Sequence, residues 1–269
     1  MPEGVRAASG PGQSQSLERG LAILSAFKAA TPELGISELS RSLGLTRSTS
    51  HRYVATLARL GYLQQNPLTR RYRLGPRVID LGLSAINSME LREISAPHLQ
   101  QLSDETGHTV NMAILDGVDI VYIERCRSSQ HGQREIDLSL HVGSRLPAYC
   151  TSMGKVLLAF LPADEQERLL GQIDFVERGP NTLTDRESLA AELTRVRAAG
   201  IAVNNEELAY GLRSMAAPVR GRDGEVVAAI NFAVHRTAAS INALIDRLGP
   251  KLKRTAEDIS ARIGYRPGS

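Results

Sequence analysis

The sequence contains no tryptophan, and its other aromatic residues are few: four phenylalanines and seven tyrosines among 269 residues. Large aromatic platforms for stacking nucleic-acid bases are therefore not expected. Cysteine is also scarce, since the sequence has only Cys126 and Cys150 and these form no C-x-x-C motif. This scarcity excludes a disulfide framework and favours a reducing compartment.

Long apolar stretches are missing as well. No window reaches the roughly 18 consecutive apolar residues that a membrane-spanning helix requires. Residues 1–14, MPEGVRAASGPGQS, are rich in glycine, serine, proline and alanine and lack the apolar segment of a signal peptide. We therefore expect a disordered tail over residues 1–14 and a soluble, cytoplasmic protein that does not contact a membrane.

Motifs for metal or cofactor binding are absent too. The six histidines show neither an H-E-x-x-H motif nor zinc-ligand spacing with cysteine, and the sequence has no P-loop, so we expect no metal and no cofactor. One enzyme motif occurs, because Ser152-Met153-Gly154-Lys155 has the S-x-x-K form of penicillin-recognising enzymes, but the accompanying S-D-N and K-T-G motifs are missing,. A hydrolase that uses Ser152 and Lys155 is the alternative function.

What the chain does contain is a charge asymmetry. Residues 1–75 hold ten arginine and lysine residues against four acidic residues, a net charge of +6. The rest of the chain holds 22 basic and 25 acidic residues, a net charge of −3. Because 269 residues are many for one domain, we expect two domains,. Only the first has the charge that favours an anionic partner.

Three short helices are predicted in the N-terminal part. Apolar residues at three- and four-residue spacing predict an amphipathic helix over 16–29,. Ser37 is a candidate N-cap for a second helix, which Gly44 is expected to end in the left-handed conformation. Thr46 is a candidate N-cap for a third helix that runs to about Leu60.

A basic hairpin follows these helices, with an Asn-Pro turn between two short strands,. Alternation in the second strand places Tyr72 and Leu74 on one face. It places Arg71 and Arg73 on the other face. Three helices and this hairpin predict a winged helix-turn-helix over residues 15–75.

The third helix is predicted to be polarised between an inner side and an outer N-terminal end. The inward-facing residues at helical spacing are Ser50, Tyr53, Val54, Leu57 and Leu60. In helix-turn-helix proteins the N-terminal end enters the major groove, where arginine reads guanine and hydroxyl groups contact phosphates or bases. The predicted DNA-binding residues are Thr46, Arg47, Ser48, Thr49, His51, Arg52, Arg70, Arg71 and Arg73. A solvated helix with scattered charges explains the helix alone, but the basic wing and the net charge favour DNA.

A connector joins this module to the rest of the chain. Apolar residues between 76 and 90 line one side of a predicted linker helix, and a second helix is predicted to end at Gly107,. Pro97 is expected to end or kink a helix, or to lie in the first turn of the second one. The apolar side of the linker favours packing in a homodimer, with packing on its own domain as the alternative.

Residues 91–269 are predicted to form a second domain. Asp116-Gly117 between two apolar segments predicts a β-hairpin,. Further strands are predicted at 135–141, 201–205, 214–220 and 225–234. Helices are predicted at 152–161, 163–171, 185–199 and from Ala238, with Pro250 bending the last one. Strands with helices between and after them predict an α+β fold with an antiparallel sheet.

The helix that begins near residue 152 is a candidate ligand site. Thr151 or Ser152 is its candidate N-cap, and the N–H groups and dipole at a helix N-terminus favour a carboxylate. A plain N-cap without a ligand explains the same residues, so the residues alone leave both interpretations open.

Several long stretches resemble the IclR family of transcriptional regulators. SLERGLAILSAF, GISELSRSLGLTRSTSHRYVATLARLGYL and RRYRLGPRVIDLG are similar to the DNA-binding half of that family. RLPAYCTSMGKVLLAFLP and VNNEELAYGLRSMAAPV are similar to its effector-binding half, so that the resemblance covers about residues 16–262. The stretch RLPAYCTSMGK is similar to the branch that controls aromatic-acid catabolism through protocatechuate, 4-hydroxybenzoate and β-ketoadipate.

The resemblance implies an N-terminal winged helix-turn-helix, a linker helix over 76–90 and a C-terminal GAF-like effector-binding domain. It implies double-stranded operator DNA and a small organic acid as partners. It also implies a homodimer, or a dimer of such dimers, joined mainly through the DNA-binding domain and linker. The sequence thus predicts a ligand-responsive regulator of catabolic genes, and not an enzyme.

The resemblance also implies which residues bind the effector. Carried over to this sequence, they are Leu138, Thr151, Ser152, Met153, Asn204, Leu212, Ser214, Asn231 and Ala233. Where some family members carry an acid and a cysteine, this sequence has Asn204 and Ser214, which removes a negative charge and suits an anionic ligand. Arg213 is either a bidentate partner for a carboxylate or a structural arginine.

Overall fold

A computed structural model describes residues 14–28, 30–87, 89–128, 140–237 and 240–266. The chain divides into two compact units, Met1–Ser88 and Met89–Ser269. Among the described residues, no helix is both long and apolar enough to cross a membrane.

The first unit consists of helices and one two-stranded hairpin. In chain order its elements are α1 (Gln15–Ser25), α2 (Ile36–Ser42), α3 (Arg47–Arg59), β1 (Leu63–Gln65), β2 (Tyr72–Leu74) and α4 (Pro76–Asn87). The strands β1 and β2 are antiparallel, with Leu63 opposite Leu74. Three helices followed by a hairpin confirm the predicted winged helix-turn-helix.

One small apolar core holds this unit together. Its buried members are Ile23, Phe27, Leu39, Val54, Leu63 and Tyr72. They come from α1 and the residues just after it, α2, α3, β1 and β2. Because burial of one such side chain stabilises a fold by about 1.5–3 kcal/mol, the orientation of α3 depends on this shared core.

The first two helices differ from their sequence predictions. Helix α1 ends at Ser25, four residues before the predicted end. Helix α2 is capped at Gly35 and not at Ser37, which lies inside the helix. The physical reason is that the Glu38 carboxylate accepts a hydrogen bond of 2.7 Å from the N–H of Gly35, as in a capping box.

The third helix begins as predicted. Thr46 is its N-cap, and Gly44 before it adopts the left-handed conformation with φ of 64°. The inward-facing side of α3 is shorter than predicted, because Leu60 is the C-cap after the last helical residue and is 44% exposed. Leu74 is likewise 40% exposed, whereas Tyr72 of the same strand is buried.

The second unit is built around one antiparallel sheet. Its elements are α5 (Glu90–Thr106), β3 (Val110–Asp116), β4 (Asp119–Cys126), β5 (Arg145–Pro147), α6 (Ser152–Ala159), α7 (Ala163–Leu170), α8 (Arg186–Ala199), β6 (Ala202–Asn205), β7 (Leu212–Arg220), β8 (Val226–His235) and α9 (Ile241–Arg262). The described strands form a six-stranded sheet in the order β5-β4-β3-β8-β7-β6. Every neighbouring pair is antiparallel, which confirms the predicted α+β fold.

Helices cover both faces of this sheet. Helices α6 and α8 pack on one face, against a core that includes Ala113, Tyr122 and Ala216. Helices α5 and α9 pack on the other face, against a core that includes Met112 and Met215. Neighbouring residues of a strand therefore face different helices.

Several details of this unit differ from the sequence predictions. The predicted strand at 135–141 lies outside the described residues, apart from its last two positions, which are not in a strand. The edge strand β5 was not predicted. Helix α9 begins at Ile241, after its N-cap Ser240, and continues through Pro250; Ala238, where the helix was predicted to start, lies outside the described residues.

Helix α5 continues through Pro97, so no helix ends there and Pro97 does not lie in a first helical turn. The ring removes one backbone hydrogen bond. Leu99 and Leu102, which follow it, are nonetheless buried in the core beside the sheet. Tertiary packing thus compensates for the local cost of the proline.

Candidate functional site

The N-terminal end of α3 presents a cluster of hydroxyl groups and cations. The side chain of Thr46 accepts a hydrogen bond of 3.2 Å from the N–H of Thr49, and the two hydroxyl groups lie 2.8 Å apart. This cap fixes the start of the helix. The side chains that are exposed beyond it are Arg47, Ser48, His51 and Arg52. Their exposure agrees with the predicted outer face.

An open cavity of about 390 Å³ lies beside this end of α3. It is lined by Ser37, Ser40, Arg41, Gly44, Leu45 and Arg47. The guanidinium of Arg41 in the last turn of α2 is thus close to the predicted reading face. Sequence reasoning counted this residue only in the net charge. Arg41 lies in the helix just before the turn that leads into α3, and this position in the sequence could have identified it as a candidate DNA contact.

The wing arginines do not act alike. Arg73 is exposed and donates two hydrogen bonds, of 2.9 and 3.2 Å, to Oε1 of Gln64. Arg71 instead forms an ion pair of 2.8 Å with Glu38 of α2 and donates to the carbonyl of Glu33. The alternation predicted that Arg71 and Arg73 share one exposed face. This prediction is wrong, and the reason is a long-range contact, since the carboxylate of Glu38 and the carbonyl of Glu33 hold the guanidinium of Arg71.

The ion pair also affects the carboxylate that caps α2. The hydrogen bond from the N–H of Gly35, followed by that from Arg71, lowers the pKa of Glu38. Arg70, which precedes Arg71, has a positive φ of 60° and is exposed. Of the three wing arginines, Arg70 and Arg73 are the more accessible to a DNA backbone.

In the second unit, several predicted effector residues meet on the face of the sheet that α6 covers. Asn204 of β6 lies opposite Ser214 of β7, which lies opposite Ala233 of β8. The hydroxyl of Ser152 lies 2.7 Å from that of Ser214, and both side chains are buried. Leu212, two residues before Ser214 on β7, is buried as well.

The N-terminus of α6 is fixed by a tight turn. Thr151 is the N-cap, and its hydroxyl accepts from the N–H of Gly154 and donates to the carbonyl of Pro147. A Cβ atom at Gly154 would lie 2.2 Å from the carbonyl oxygen of Ala148, so the turn requires glycine. The adjacent Ser152 and Met153 are fully buried, and their N–H groups belong to the first helical turn, which has no intrahelical acceptors.

Asn204 connects the sheet to this turn. Its Nδ2 donates a hydrogen bond of 2.6 Å to the carbonyl of Cys150, and its Oδ1 accepts from the N–H of Glu207. Burial raises the pKa of Cys150 to about 12, so its thiol stays neutral. Asn204 therefore holds the turn that leads into α6 and also lines the polar cluster.

Lys155 is buried and does not contact the hydroxyl of Ser152. Its Nζ donates to Glu207 at 2.7 Å, to the carbonyl of Val203 at 2.6 Å and to Glu192 at 3.2 Å. Burial raises the pKa of Glu207, and the charge of Lys155 opposes that rise. A lysine that activates a serine must reach its hydroxyl, so this geometry does not support the hydrolase alternative.

One predicted effector residue, Arg213, is not part of this cluster. Arg213 alternates with Ser214, and its guanidinium donates to Asn205 and to the carbonyl of Arg236. It therefore faces away from the Ser152 hydroxyl. Leu138 lies outside the described residues. Within the described ranges, no group of histidine, cysteine, aspartate and glutamate side chains is suited to hold a metal ion.

A row of polar side chains that sequence reasoning missed lies next to this cluster. NH1 of Arg125 donates to Oδ1 of Asn111 at 2.8 Å, and Nδ2 of Asn111 donates to Oδ1 of Asn231 at 2.8 Å. Asn111 and Asn231 are 1% and 4% exposed. Of this row only Asn231 was predicted.

A further cavity in the second unit lies away from this cluster. It measures about 550 Å³ and is bounded by the C-terminal half of α9 and by β7, with Arg220 and Tyr265 in its wall. None of the predicted effector residues lines it. The buried polar cluster is the better candidate site, because it has the hydrogen-bonding groups that orient a ligand.

Both parts of the chain match models of known domain families. Residues 16–67 match the model of the IclR helix-turn-helix domain, and residues 83–261 match that of the bacterial transcriptional regulator IclR C-terminal domain. The chain is 38% identical over 248 residues to the Pca regulon regulatory protein of Pseudomonas putida. The alignment covers 92% of this chain and 84% of that protein. It is 30% identical to the p-hydroxybenzoate hydroxylase transcriptional activator of Acinetobacter baylyi, over 90% of this chain and 89% of that protein.

Solved structures give the same result. The crystal structure of an IclR family transcriptional regulator from Brucella abortus is similar, with a TM-score of 0.80 and 27% identity over 97% of this chain and 96% of that one. The matched families and relatives are transcriptional regulators and not enzymes. The chain belongs to the IclR family of bacterial transcriptional regulators.

Proposed function

We propose that this IclR-family regulator binds operator DNA as a homodimer and that a small aromatic or related organic acid changes its affinity for DNA. The observation that carries the effector part is the buried polar cluster around Ser152 and Ser214, at the N-terminus of α6. Hydrogen-bond donors in a water-excluded site and the positive end of a helix dipole suit a carboxylate.

The DNA-binding part rests on the exposed end of α3. Arg47, Ser48, His51 and Arg52 are exposed there, and we propose that they enter the major groove with Thr46 and Thr49 at the edge. Arg41 and the wing residues Arg70 and Arg73 are proposed to contact phosphates. Arg71 is proposed to act indirectly, by holding the wing to α2.

The names of the relatives support the choice of effector class. One is a Pca regulon regulator and another an activator for p-hydroxybenzoate hydroxylase. We therefore propose protocatechuate, 4-hydroxybenzoate or β-ketoadipate as effector, bound near Ser152, Met153 and Ser214. Leu138, Asn204, Leu212, Asn231 and Ala233 are the further proposed lining residues.

The homodimer is proposed from α4. Ile79, Leu81 and Leu83 of this helix are between 52 and 62% exposed, and exposed apolar side chains on one helix favour an interface. A dimer matches the paired half-sites of helix-turn-helix operators. Sedimentation of the protein as a monomer at micromolar concentration would contradict it.

The effector proposal is tested by thermal-shift measurements on the full chain with protocatechuate, 4-hydroxybenzoate, β-ketoadipate, pyruvate and glyoxylate. We expect at least one of the first three to raise the melting temperature, since a ligand that binds only the folded state stabilises it. The same compound is expected to change the affinity for a DNA site selected from random duplexes, measured by fluorescence anisotropy. If none of the five stabilises the protein, the effector assignment is wrong.

A further inference from the structure

An irregularity in β4 decides which charge reaches the face of the sheet covered by α6. The register between β3 and β4 shifts at Met112/Ala113, so that Met112 lies opposite Glu124 whereas Ala113 lies opposite Tyr122. Ile123 is the extra residue of this β-bulge. In a regular strand, Tyr122 and Glu124 would share a face. With the bulge, Tyr122 and Arg125 share it.

The partners of these side chains agree with the register. Glu124 forms an ion pair of 2.9 Å with Arg92 of α5, on the opposite face of the sheet. Tyr122 belongs to the core beside α6, and the charge of Arg125 counteracts the rise that burial causes in the pKa of Tyr122. The bulge therefore replaces a carboxylate with a guanidinium on the side where the effector cluster lies.

Arg125 is held in that place by buried amides. Asn111 lies opposite both Arg125 and Asn231 in the sheet, and hydrogen bonds of 2.8 Å join the three side chains across β4, β3 and β8. Arg125 donates to Asn111, and Asn111 in turn donates to Asn231. Asn231 lies opposite Ala216, two register positions from Ser214 on the same face of β7, so this chain of side chains extends from the cation towards the polar cluster.

The chemistry of the combined surface is that of an anion site. The cation is Arg125, the side chains that connect it across the sheet are the amides of Asn111 and Asn231, and α6 packs on the same face with Ser152 in its first turn. A charge-assisted hydrogen bond in a desolvated site is stronger than a neutral one. It distinguishes a carboxylate from an uncharged group of the same shape.

We propose that Arg125, turned to the α6 face by the β-bulge and held by Asn111, recognises the carboxylate of the effector and makes the site selective for acids. This inference rests on the proposed effector function and assigns its charge recognition to one residue. It differs from the sequence expectation, which considered Arg213 for that role.

The test compares 4-hydroxybenzoate with 4-hydroxybenzamide, which has nearly the same shape but no charge. Isothermal titration calorimetry is carried out on the full-length wild-type protein, on Arg125→Gln and on the control Arg127→Gln, a nearby exposed arginine. We expect the wild type and the control to bind the acid at least tenfold more tightly than the amide. Arg125→Gln is expected to lose this preference through weaker acid binding, with amide binding changed less than twofold. Arg125→Lys is expected to restore part of the preference.

The outcomes separate the two proposals. If protocatechuate and not 4-hydroxybenzoate stabilises the wild type, the same comparison is made between protocatechuate and its amide. If the wild type binds none of the proposed acids, the effector function is wrong and this inference falls with it. If it binds acid and amide equally, or if Arg125→Gln keeps the wild-type preference, the inference is wrong and the effector function stands. If Arg125→Gln weakens the binding of acid and amide equally, the role of Arg125 is purely structural, and this result also overturns the inference.

Discussion

The hydroxyl oxygens of Ser152 and Ser214 lie 2.7 Å apart although 62 positions separate the two residues in the chain. Both side chains are buried, so this contact joins the N-terminus of α6 to β7 inside the protein. A ligand that binds here has to fit beside this pair or share its hydrogen bonds. The space at Ser152 is thus sensitive to the volume of the side chain.

The first prediction concerns Ser152→Leu. The larger side chain is expected to fill the effector site and to abolish the rise in melting temperature caused by 4-hydroxybenzoate or protocatechuate, whichever stabilises the wild type. Overpacking costs about 1–3 kcal/mol, so the readout is the ligand-dependent shift and not the melting temperature itself. Binding to a selected DNA site, measured by anisotropy, is expected to be unchanged.

Two further variants make this measurement specific. Thr194→Leu on the exposed side of α8 adds similar bulk away from the site and is expected to keep the full ligand response. Ser152→Ala keeps the space and loses one hydrogen bond, which costs about 0.5–1.5 kcal/mol. A normal ligand response in Ser152→Leu would place the effector elsewhere in the protein.

The second prediction concerns the reading end of α3. Arg47→Ala and Arg52→Ala are each expected to weaken binding to a selected DNA site by about 1–3 kcal/mol and to relax base preference at one position. The control is Arg59→Ala, because Arg59 is an exposed arginine in the last turn of the same helix. Equal losses in all three variants would indicate general charge attraction instead of base reading.

The third prediction separates the wing arginines. Arg70→Ala combined with Arg73→Ala is expected to lower the slope of log affinity against log salt by about 2, since each phosphate contact releases roughly 0.9 counterion. Arg71→Ala is expected to change the slope less. Its main effect is loss of the ion pair with Glu38. Both side chains of this pair are about 40% exposed, so stability is expected to fall only slightly. The largest slope change in Arg71→Ala would contradict this division.

The order of helices and strands was predictable because local chemistry determines it. Thr46 and Gly44 have side-chain or conformational preferences that act within one turn, and the structure confirms both. The hairpin at Gly117, with a φ of 62°, was predictable for the same reason. The family resemblance supplied the positions of Ser152 and Ser214, which spacing alone does not bring together.

The features that were not predictable depend on long-range contacts. Alternation assigned Arg71 to an open face, but a carboxylate 33 positions earlier, on Glu38, turns it inward. The face of Arg125 depends on a bulge that periodicity does not reveal,. Pro97 was expected to end or kink a helix or to lie in the first turn of one, but α5 continues through it and the residues after it pack in the core.

The last prediction concerns Lys155, which is 1% exposed and pairs with Glu207, itself 8% exposed at the side chain. Burial raises the pKa of Glu207 above its ordinary value of 4.5, and Lys155 opposes this rise. Lys155→Ala therefore raises that pKa further and leaves a buried carboxylate without its nearest cation. We expect a loss of about 3–5 kcal/mol near pH 8, measured by urea denaturation of the full chain.

The loss of stability in Lys155→Ala is expected to grow as the pH rises. An acid whose pKa is higher in the folded state favours folding when protonated, and this contribution disappears as pH rises through the folded value. The deficit of Lys155→Ala relative to the wild type should thus be smaller at pH 5 than at pH 8. Lys155→Met, which keeps most of the volume, should show the same dependence, and the exposed Lys251→Ala should show none. A deficit that is equal at both pH values would mean that lost packing, and not the unpaired Glu207 carboxylate, destabilises the variant.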